Sequence, residues 1–561
     1  MTRKIIVVVA SCLPTSLAIA GIAAVSAQAQ PIPVPIVPRP ISPPEPTPAP
    51  SLPPQDPDLN VAPEVIPTVP QPEIDVVFQV SRFEYQGSTV FDQAQLDAIT
   101  APYLNKPITF RELQQIRTAI SDFYVQRGFV TSGAFIPPQT LRNGVATIQI
   151  IEGKLERVEV QGDDRLANYV RSRLARAASP IVNREKLLEA LRLLQSDPLV
   201  RTVSADLAVG SRVGLSVLNV SISPNPSTRA SIELNNRRSP TVGSFERRLD
   251  ISQANLLGLG DTLAIAYANT NGSNAISLNY TVPTSTNNAT LSFGYSAQFA
   301  RIIEPPFDAL DIRSDSKVYE LSYRQPIFRR ATDRAISELA IGVGLARLES
   351  ETSILGIRQA LTPGANANGQ TRISELRLFQ EFLRSSDQQF LQLRSQFSFG
   401  IDAFGTTRNP SSPDSRFFAW RGQVRYLQKL GPRPYLLSRF DIQLADRPLV
   451  PLEQFQPTVR GYRQDAALGD NGIFGSIELH LPVATTPQTE LQLVPFFDIA
   501  HLWNGTIDST TLASLGLGLQ VTSGNFSAQI GYGIALSDRV RVGNSIQENG
   551  FTGAIRFTSS F

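Results

Sequence analysis

From about residue 228 to residue 561, the chain is a succession of short segments in which apolar and polar residues alternate. In "NFSAQIGYGIAL", for example, Phe526, Ile530 and Tyr532 share one parity, whereas Ser527 and Gln529 share the other. Successive side chains of a β-strand point to opposite faces, so this pattern predicts strands with one apolar and one polar face. A chain with this pattern over such a length is restricted to sheet architectures.

Both a soluble sandwich array and an outer-membrane barrel would show this alternation, but three observations favour the barrel. The region has no helical interruption, its polar face is rich in glycine and small residues, and Phe557 and the terminal Phe561 lie on the apolar face. Its length accommodates about sixteen antiparallel strands of about ten residues. We therefore predict an all-β transmembrane barrel over residues 226–561, with the sandwich array as the alternative.

The first 29 residues are expected to form a secretory signal peptide. Arg3 and Lys4 precede a long apolar run, and Ala27 and Ala29 supply the small residues that signal peptidase requires. Lipidation at Cys12 is a weaker alternative, because only about six apolar residues precede it. Residues 30–74 are rich in proline, which favours an extended, semi-rigid linker.

The composition argues against several classes of function. Cys12 is the only cysteine and there are two histidines, so we expect no disulfide, no metal centre and no cofactor. A net charge of +2 gives no reason to expect nucleic acid as a partner. Phosphate-loop, H-E-x-x-H and G-x-S-x-G motifs are lacking, so we predict a transporter or binding protein and not an enzyme.

A unit of about seventy-five residues occurs twice between the linker and the barrel, which indicates a tandem domain array. "RFEYQG" ends on Gly87 and "RVEVQG" ends on Gly162, and each is followed by two helices and two strands. In the first unit, Gly128 ends the second helix and the segment "FVTSGAFIP" is predicted as the next strand. The predicted α+β domains span residues 75–153 and 154–225. Each leaves an edge strand that can recruit an extended peptide.

The segment "PTVRGYRQDAALGDNG" lies in a loop on the side of the long loops of the predicted barrel. Arg460 in this loop either stays in water or folds into the lumen, where it would meet a carboxylate. Asp498 has the inward parity of its strand together with Phe496, and Glu478 on the neighbouring strand is the rival partner.

Two neighbours of this arginine would support the inward arrangement. Gly461 permits a sharp turn of the backbone, and Tyr462 is able to pack on the barrel wall while its hydroxyl donates a hydrogen bond.

Several motifs resemble those of the outer-membrane transporters of two-partner secretion, the haemolysin-activator type within the Omp85 superfamily. "YVQRGFVTSGAFIPPQ", which contains Phe129, resembles the signature of the family's POTRA domains, and "NLLGLGDTLAI" resembles the segment by which the family's chain enters the barrel. "VRGYRQ" resembles the superfamily's loop signature. "FFDIA" resembles its F-x-D-x-G wall motif, with Ala500 in place of glycine.

The resemblance implies two periplasmic POTRA domains and a pore that passes an unfolded secreted protein to the cell surface without nucleotide hydrolysis. The implied partners are that exoprotein through its N-terminal region, outer-membrane lipid, and periplasmic chaperones and the barrel-assembly machinery during biogenesis. The pore-plugging helix that family members often carry has no counterpart in the proline-rich segment. An assembly or import factor of the same superfamily is the first alternative, and a passive porin is the second.

Overall fold

The computed structural model describes residues 59–61, 77–141, 143–410, 413–505, 508–537 and 545–561. The predicted signal peptide and nearly all of the proline-rich segment, including the region expected to lack a plug helix, lie outside these residues. The first described segment is the short strand β1 (Leu59–Val61). No helix within the described ranges has the length and apolar composition needed to cross a membrane.

The first repeat unit packs two helices on a three-stranded sheet, in which β3 (Arg82–Gln86) is parallel and β5 (Gly133–Phe135) is antiparallel to the central β6 (Val145–Ile151). In α2 (Phe110–Gln126), Thr109 and Glu112 cap each other's backbone N–H groups. The strand predicted from residue 129 begins only at residue 133, because a turn closed by Ser132 N–H and the Phe129 carbonyl (3.0 Å) follows the helix. The elements are β2 (Val77–Gln79), β3 (Arg82–Gln86), α1 (Gln93–Thr100), β4 (Pro107–Thr109), α2 (Phe110–Gln126), β5 (Gly133–Phe135) and β6 (Val145–Ile151).

The second repeat unit also has a strand, two helices and two further strands in this order, without counterparts of β2 and β4. Its helices are capped by Asp163 and Asn183, and their buried leucine and valine side chains cover a sheet of order β1-β8-β9-β7. The elements are β7 (Lys154–Gln161), α3 (Asp164–Ala177), α4 (Arg184–Gln195), β8 (Val200–Val209) and β9 (Leu215–Pro224).

Strand β1 corrects the prediction that the proline-rich segment is only a spacer. Its three residues pair in parallel with Ala205 to Leu207 of β8, and the Asn60 amide donates to Asp206 at 2.9 Å. Leu59 and Val61 pack against the domain core. The stretch "LNV" contains no proline, so its N–H groups are available to a sheet, unlike those of the proline-rich residues around it.

Sixteen antiparallel strands of the described chain close into a barrel. A seventeenth strand, β17 (Ile357–Arg358), lies outside the ring and pairs only with the end of β16 (Ala335–Ile354). The last strand pairs with the first, Ser560 opposite Arg229 and Ala554 opposite Asn235. The strands are β10 (Thr228–Asn235), β11 (Glu246–Ala254), β12 (Thr262–Asn269), β13 (Ser273–Pro283), β14 (Thr290–Arg301), β15 (Arg313–Ala331), β16 (Ala335–Ile354), β17 (Ile357–Arg358), β18 (Gln370–Ser386), β19 (Gln389–Ile401), β20 (Phe418–Lys429), β21 (Tyr435–Ala445), β22 (Asn471–Thr485), β23 (Thr489–Asn504), β24 (Asp508–Ser523), β25 (Phe526–Ala535) and β26 (Phe551–Ser560).

The two faces of the barrel wall differ as the alternation predicts. Large apolar side chains such as Leu345, Ile530 and Phe557 are exposed on the outside, which suits contact with lipid. Arginines and carboxylates pair on the inside: Arg324 contacts Glu338 at 2.5 Å and Glu381 at 2.6 Å. The predicted combination of α+β domains with a sixteen-stranded barrel is therefore confirmed.

The motif "NLLGLG" does not open the barrel, which corrects the expectation from the resemblance. The barrel begins one hairpin earlier, at Thr228, and residues 255–260 form the turn between β11 and β12. This turn packs on α3, because the Arg165 guanidinium donates to the carbonyls of Asn255 (2.7 Å) and Leu256 (3.0 Å). The turn therefore joins the second repeat unit to the barrel rim.

Candidate functional site

A long loop between β21 and β22, residues 446–470, folds against the inner wall of the barrel and is called here the docked loop. Its two arms are joined where the backbones of Phe455 and Gly469 exchange hydrogen bonds of 2.6 and 3.1 Å. Its apolar side chains are buried against the wall. Phe455, Val459 and Tyr462 of the loop form a cluster with four side chains of the wall, Phe474, Ala500, Leu502 and Leu512.

The structure places Arg460 of this loop in contact with Asp498 on β23. The guanidinium makes a forked contact, Nε to Oδ2 at 2.7 Å and Nη2 to Oδ1 at 2.6 Å, and the Arg460 backbone N–H donates to Oδ2 at 3.1 Å. Ser476 donates to Asp498 at 2.7 Å and accepts from Arg460 at 3.1 Å. Only 1 % of the Asp498 side chain is exposed, so these bonds are shielded from water.

The rival partner, Glu478, contacts the same guanidinium. Arg460 Nη1 lies 3.1 Å from Glu478 Oε1, and Glu478 also contacts Arg439 and His480. The Arg460 guanidinium carbon lies 3.6 Å from the centre of the Phe496 ring, in cation–π contact. Burial alone would lower the pKa of Arg460, but its bond to Asp498 and the charge of Glu478 raise that pKa above its ordinary value.

The residues after Arg460 fit the wall closely. Gly461 has φ of +91°, and a Cβ there would lie 2.9 Å from the carbonyl oxygen of Gly533 on β25. Both glycines are therefore needed for the loop backbone to approach the strand. The Tyr462 hydroxyl donates to the Ala513 carbonyl at 2.9 Å and lies 2.7 Å from the Ser537 hydroxyl.

Ala500, where the wall motif has glycine, does not disturb this arrangement. Its methyl group is fully buried in the apolar cluster with Tyr462, two positions along the strand from Asp498. The substitution therefore adds apolar contact and leaves the ion pair unchanged.

A second arginine of the docked loop, Arg463, was not predicted. It is 8 % exposed, and its guanidinium contacts Asp465, Glu304 at 2.8 Å and Glu548 at 3.3 Å. Burial would lower the pKa of Arg463, but Asp465 and Glu304 raise it above its ordinary value. Despite its burial, Asp465 has a lowered pKa because of its bonds to Arg463 and to two hydroxyls. The tip of the loop is thus tied to other loops at the barrel mouth.

The remaining predicted residues lie outside this site. Phe557 and Phe561 are exposed on the outer face, and the Phe561 backbone exchanges hydrogen bonds with Thr228 at 2.9 and 3.0 Å. Gly87 and Gly162 occupy equivalent places in the two repeats. A Cβ at Gly87 would lie 2.4 Å from the Ile150 carbonyl oxygen, and one at Gly162 would lie 2.0 Å from that of Ile222.

Gly128 and Phe129 lie where the two repeats meet. Arg184 N–H donates to the Gly128 carbonyl at 2.7 Å, and Phe129 packs edge-on against Phe91 and Tyr124. Gly128 therefore links the two repeats, and Phe129 packs within the first repeat. Within the described residues, no group of His, Cys, Asp and Glu is arranged to hold a metal ion.

Comparison with known proteins places this chain in a family. The sequence model of the haemolysin secretion/activation proteins ShlB/FhaC/HecB matches residues 214–521, more than half of the chain. The chain belongs to this family. The ShlB-type POTRA domain matches residues 78–153, so the first repeat unit is a POTRA domain.

Individual relatives agree with this assignment. The outer membrane transporter CdiB of Dickeya dadantii is 24% identical over 489 residues, 82% of this chain and 83% of the relative. The heme/hemopexin transporter protein HuxB of Haemophilus influenzae is 21% identical over 478 residues, 80% and 81% of the two chains. The structure of CdiB from Escherichia coli has the same fold, with a TM-score of 0.64, 19% identity and coverage of 88% and 93%.

The chain is therefore a two-partner secretion transporter of the Omp85 superfamily, located in the outer membrane with its POTRA domains in the periplasm. Its partner is a secreted exoprotein. The relatives are transporters and not enzymes.

Proposed function

We propose that this transporter recognises one unfolded exoprotein in the periplasm and passes it through the barrel to the cell surface without hydrolysing a nucleotide. The observation that carries this proposal is the docked loop, which is fastened to a polar inner wall by Arg460 and Asp498. A loop held by a few side chains inside a closed barrel has two arrangements, docked and released. The docked arrangement is the resting state in this proposal.

Recognition is assigned to free strand edges of the POTRA domains, which offer unpaired N–H and C=O groups to an extended peptide. In the described structure the outer edge of β8 is covered by β1, whereas β7, β3 and β5 end their sheets. The exoprotein would therefore pair with one of these three strands, or displace β1.

Folding of the exoprotein outside the cell supplies the drive in this proposal. The inner wall offers paired charges and polar groups along which an extended chain passes without a large apolar surface to bind it. Periplasmic chaperones and the barrel-assembly machinery would deliver the transporter itself to the outer-membrane lipid.

Deletion of the gene in its own host, followed by complementation, tests this function. Without the gene, one large protein should disappear from the medium and cell surface while other outer-membrane proteins keep their levels. Wild type should restore that protein, and Arg460→Ala should not, although the variant barrel still inserts. A broad loss of outer-membrane proteins would indicate an assembly factor instead. An unchanged set of secreted proteins with altered uptake of small solutes would indicate a porin.

A further inference from the structure

A cavity of about 430 Å³ lies between the second repeat unit and the periplasmic rim of the barrel. Its walls are α3, α4, the turn between β13 and β14, and the final part of β15. Basic side chains outnumber acidic ones in this lining, four to two. They are Arg173, Arg176, Lys186 and Arg329, against Glu189 and Asp197.

Both carboxylates of the lining already accept hydrogen bonds from neutral donors. Asp197 accepts from the Tyr169 hydroxyl at 2.6 Å and from Leu199 N–H at 3.0 Å. Glu189 accepts from Ala331 N–H at 3.3 Å. Arg329 is paired with Glu338, outside the lining, at 2.6 Å. The other three basic groups face these two carboxylates, so the cavity keeps a small surplus of positive charge.

Arg173 and Arg176 are held by neutral partners that position them. Arg173 stacks over the Tyr169 ring at 3.4 Å and donates to the Asn288 side chain at 2.6 and 3.0 Å. Arg176 donates to the Thr286 hydroxyl at 3.1 Å. Burial lowers the pKa of Arg173. An anion in the cavity would offset the cost of burying this guanidinium.

The outer rim of the cavity is apolar and lies on the barrel wall. Ile327 is 56 % exposed and Phe328 is 46 % exposed, at a bulge near the periplasmic end of β15. Phe328 pairs with Leu339 on β16, within the band where apolar side chains of these strands face outward. Basic groups thus lie directly beside a surface that meets acyl chains.

We propose that this cavity binds an anionic phospholipid of the periplasmic leaflet. Its phosphate headgroup would lie among Arg173, Arg176 and Lys186, and its acyl chains would lie along Ile327 and Phe328. Charge complementarity and the apolar rim together select a lipid over a soluble anion. A bound lipid would contact both the second repeat unit and the barrel, and so help to fix their relative position.

Native mass spectrometry of the full-length protein in detergent, with added phosphatidylglycerol or phosphatidylcholine, tests this proposal. The wild type should retain phosphatidylglycerol roughly tenfold better than phosphatidylcholine. The variant Arg176→Glu/Lys186→Glu should lose this preference. Both residues are exposed on helix surfaces, so the fold should be kept, which heat-modifiable migration on gels verifies.

The matched control is Arg184→Glu/Arg212→Glu, which reverses two exposed charges of the same domain outside the cavity. It should bind phosphatidylglycerol as the wild type does. Excess inorganic phosphate should leave the lipid bound; displacement by phosphate would mean a site for small anions and would overturn the lipid assignment. Equal retention of the two lipids by the wild type, or equal binding by the lining and control variants, would also overturn it.

Discussion

At the scale of single residues, Arg460 is held by a forked bond to Asp498, an ion pair with Glu478 and the face of Phe496. The planar guanidinium makes all of these contacts at once, which the compact ammonium of lysine cannot do. The free energy of docking the loop should therefore depend strongly on the identity of this side chain.

We expect Arg460→Ala to abolish secretion while barrel insertion stays largely intact, and Arg460→Lys to restore secretion poorly. Removing one member of a fully buried pair costs about 3–5 kcal/mol, and a water-filled lumen reduces this towards about 0–1 kcal/mol. Secretion by Arg460→Ala, Asp498→Ala and the double variant forms a cycle that measures the coupling. If the two single effects simply add, the residues do not act together, and Glu478 is then the variant to test.

Arg463→Ala should release the tip of the docked loop, because Asp465, Glu304 and Glu548 lose their shared cation. Proteolysis of intact cells should cut the loop faster in this variant. The control is Arg447→Ala in the same loop, which removes an exposed arginine paired with its neighbour Asp446 and should leave cleavage unchanged. Equal cleavage of both variants and the wild type would contradict the role of Arg463 in holding the loop.

The ion pair between Arg463 and Asp465 should be insensitive to pH in the neutral range. The pKa of Asp465 is lower in the folded protein than in the unfolded chain. Its contribution to stability is therefore complete above the ordinary aspartate pKa of about 3.9 and is lost as the pH falls below it. Loop cleavage measured between pH 5 and pH 8 should stay constant.

At the scale of elements, β1 covers the edge of β8 with only three residues. Leu59→Asp/Val61→Asp should detach it, because two side chains that pack on the core become charged. If exoproteins use the β8 edge, the full-length variant should bind the unfolded N-terminal region of its exoprotein more tightly than wild type in calorimetry. Asn60→Ala, which removes one exposed hydrogen bond, is the milder control. Unchanged affinity in the aspartate variant would assign recognition to β7, β3 or β5.

Periodicity explains which elements the sequence could predict. Strand parity fixes which side chains face inward, so Asp498 and Glu478 were identified as the carboxylates within reach of Arg460. The helices of the repeats were predictable from a different period, that of the α-helix. Leu166, Val170 and Leu174 follow this period and are buried.

Other features of the structure leave no periodic pattern in the sequence and could not be predicted. The partners of Arg463 come from loops at residues 304 and 548, far apart in sequence. Strand β1 has only three residues, which is too short to show an alternation of apolar and polar residues, and it lies in a proline-rich segment. The motif at residues 255–260 was assigned to the entry into the barrel from the resemblance alone, whereas the alternation had already placed the start of the barrel near residue 226.

At the scale of the whole molecule, closure of the barrel depends on short terminal strands. Deleting Phe561 should impair assembly, because the residue supplies two backbone hydrogen bonds to Thr228 and an outward aromatic ring. Outer-membrane fractions should contain less heat-modifiable barrel. Phe561→Leu keeps the backbone bonds and an apolar side chain, and should be milder. Normal levels of the deletion variant would show that β26 closes without its last residue.

The contacts of Arg463 also cross the seam where the first and last strands of the barrel meet. Thr241 follows β10 and Glu548 precedes β26, and both contact this one guanidinium. Gln547 adds bonds across the same seam to the carbonyls of Asn236 and Arg238. The docked loop therefore braces the joint of the wall at the mouth of the barrel, in addition to the backbone pairs between β10 and β26. Withdrawal of the loop would remove this brace and leave the joint to the backbone pairs alone.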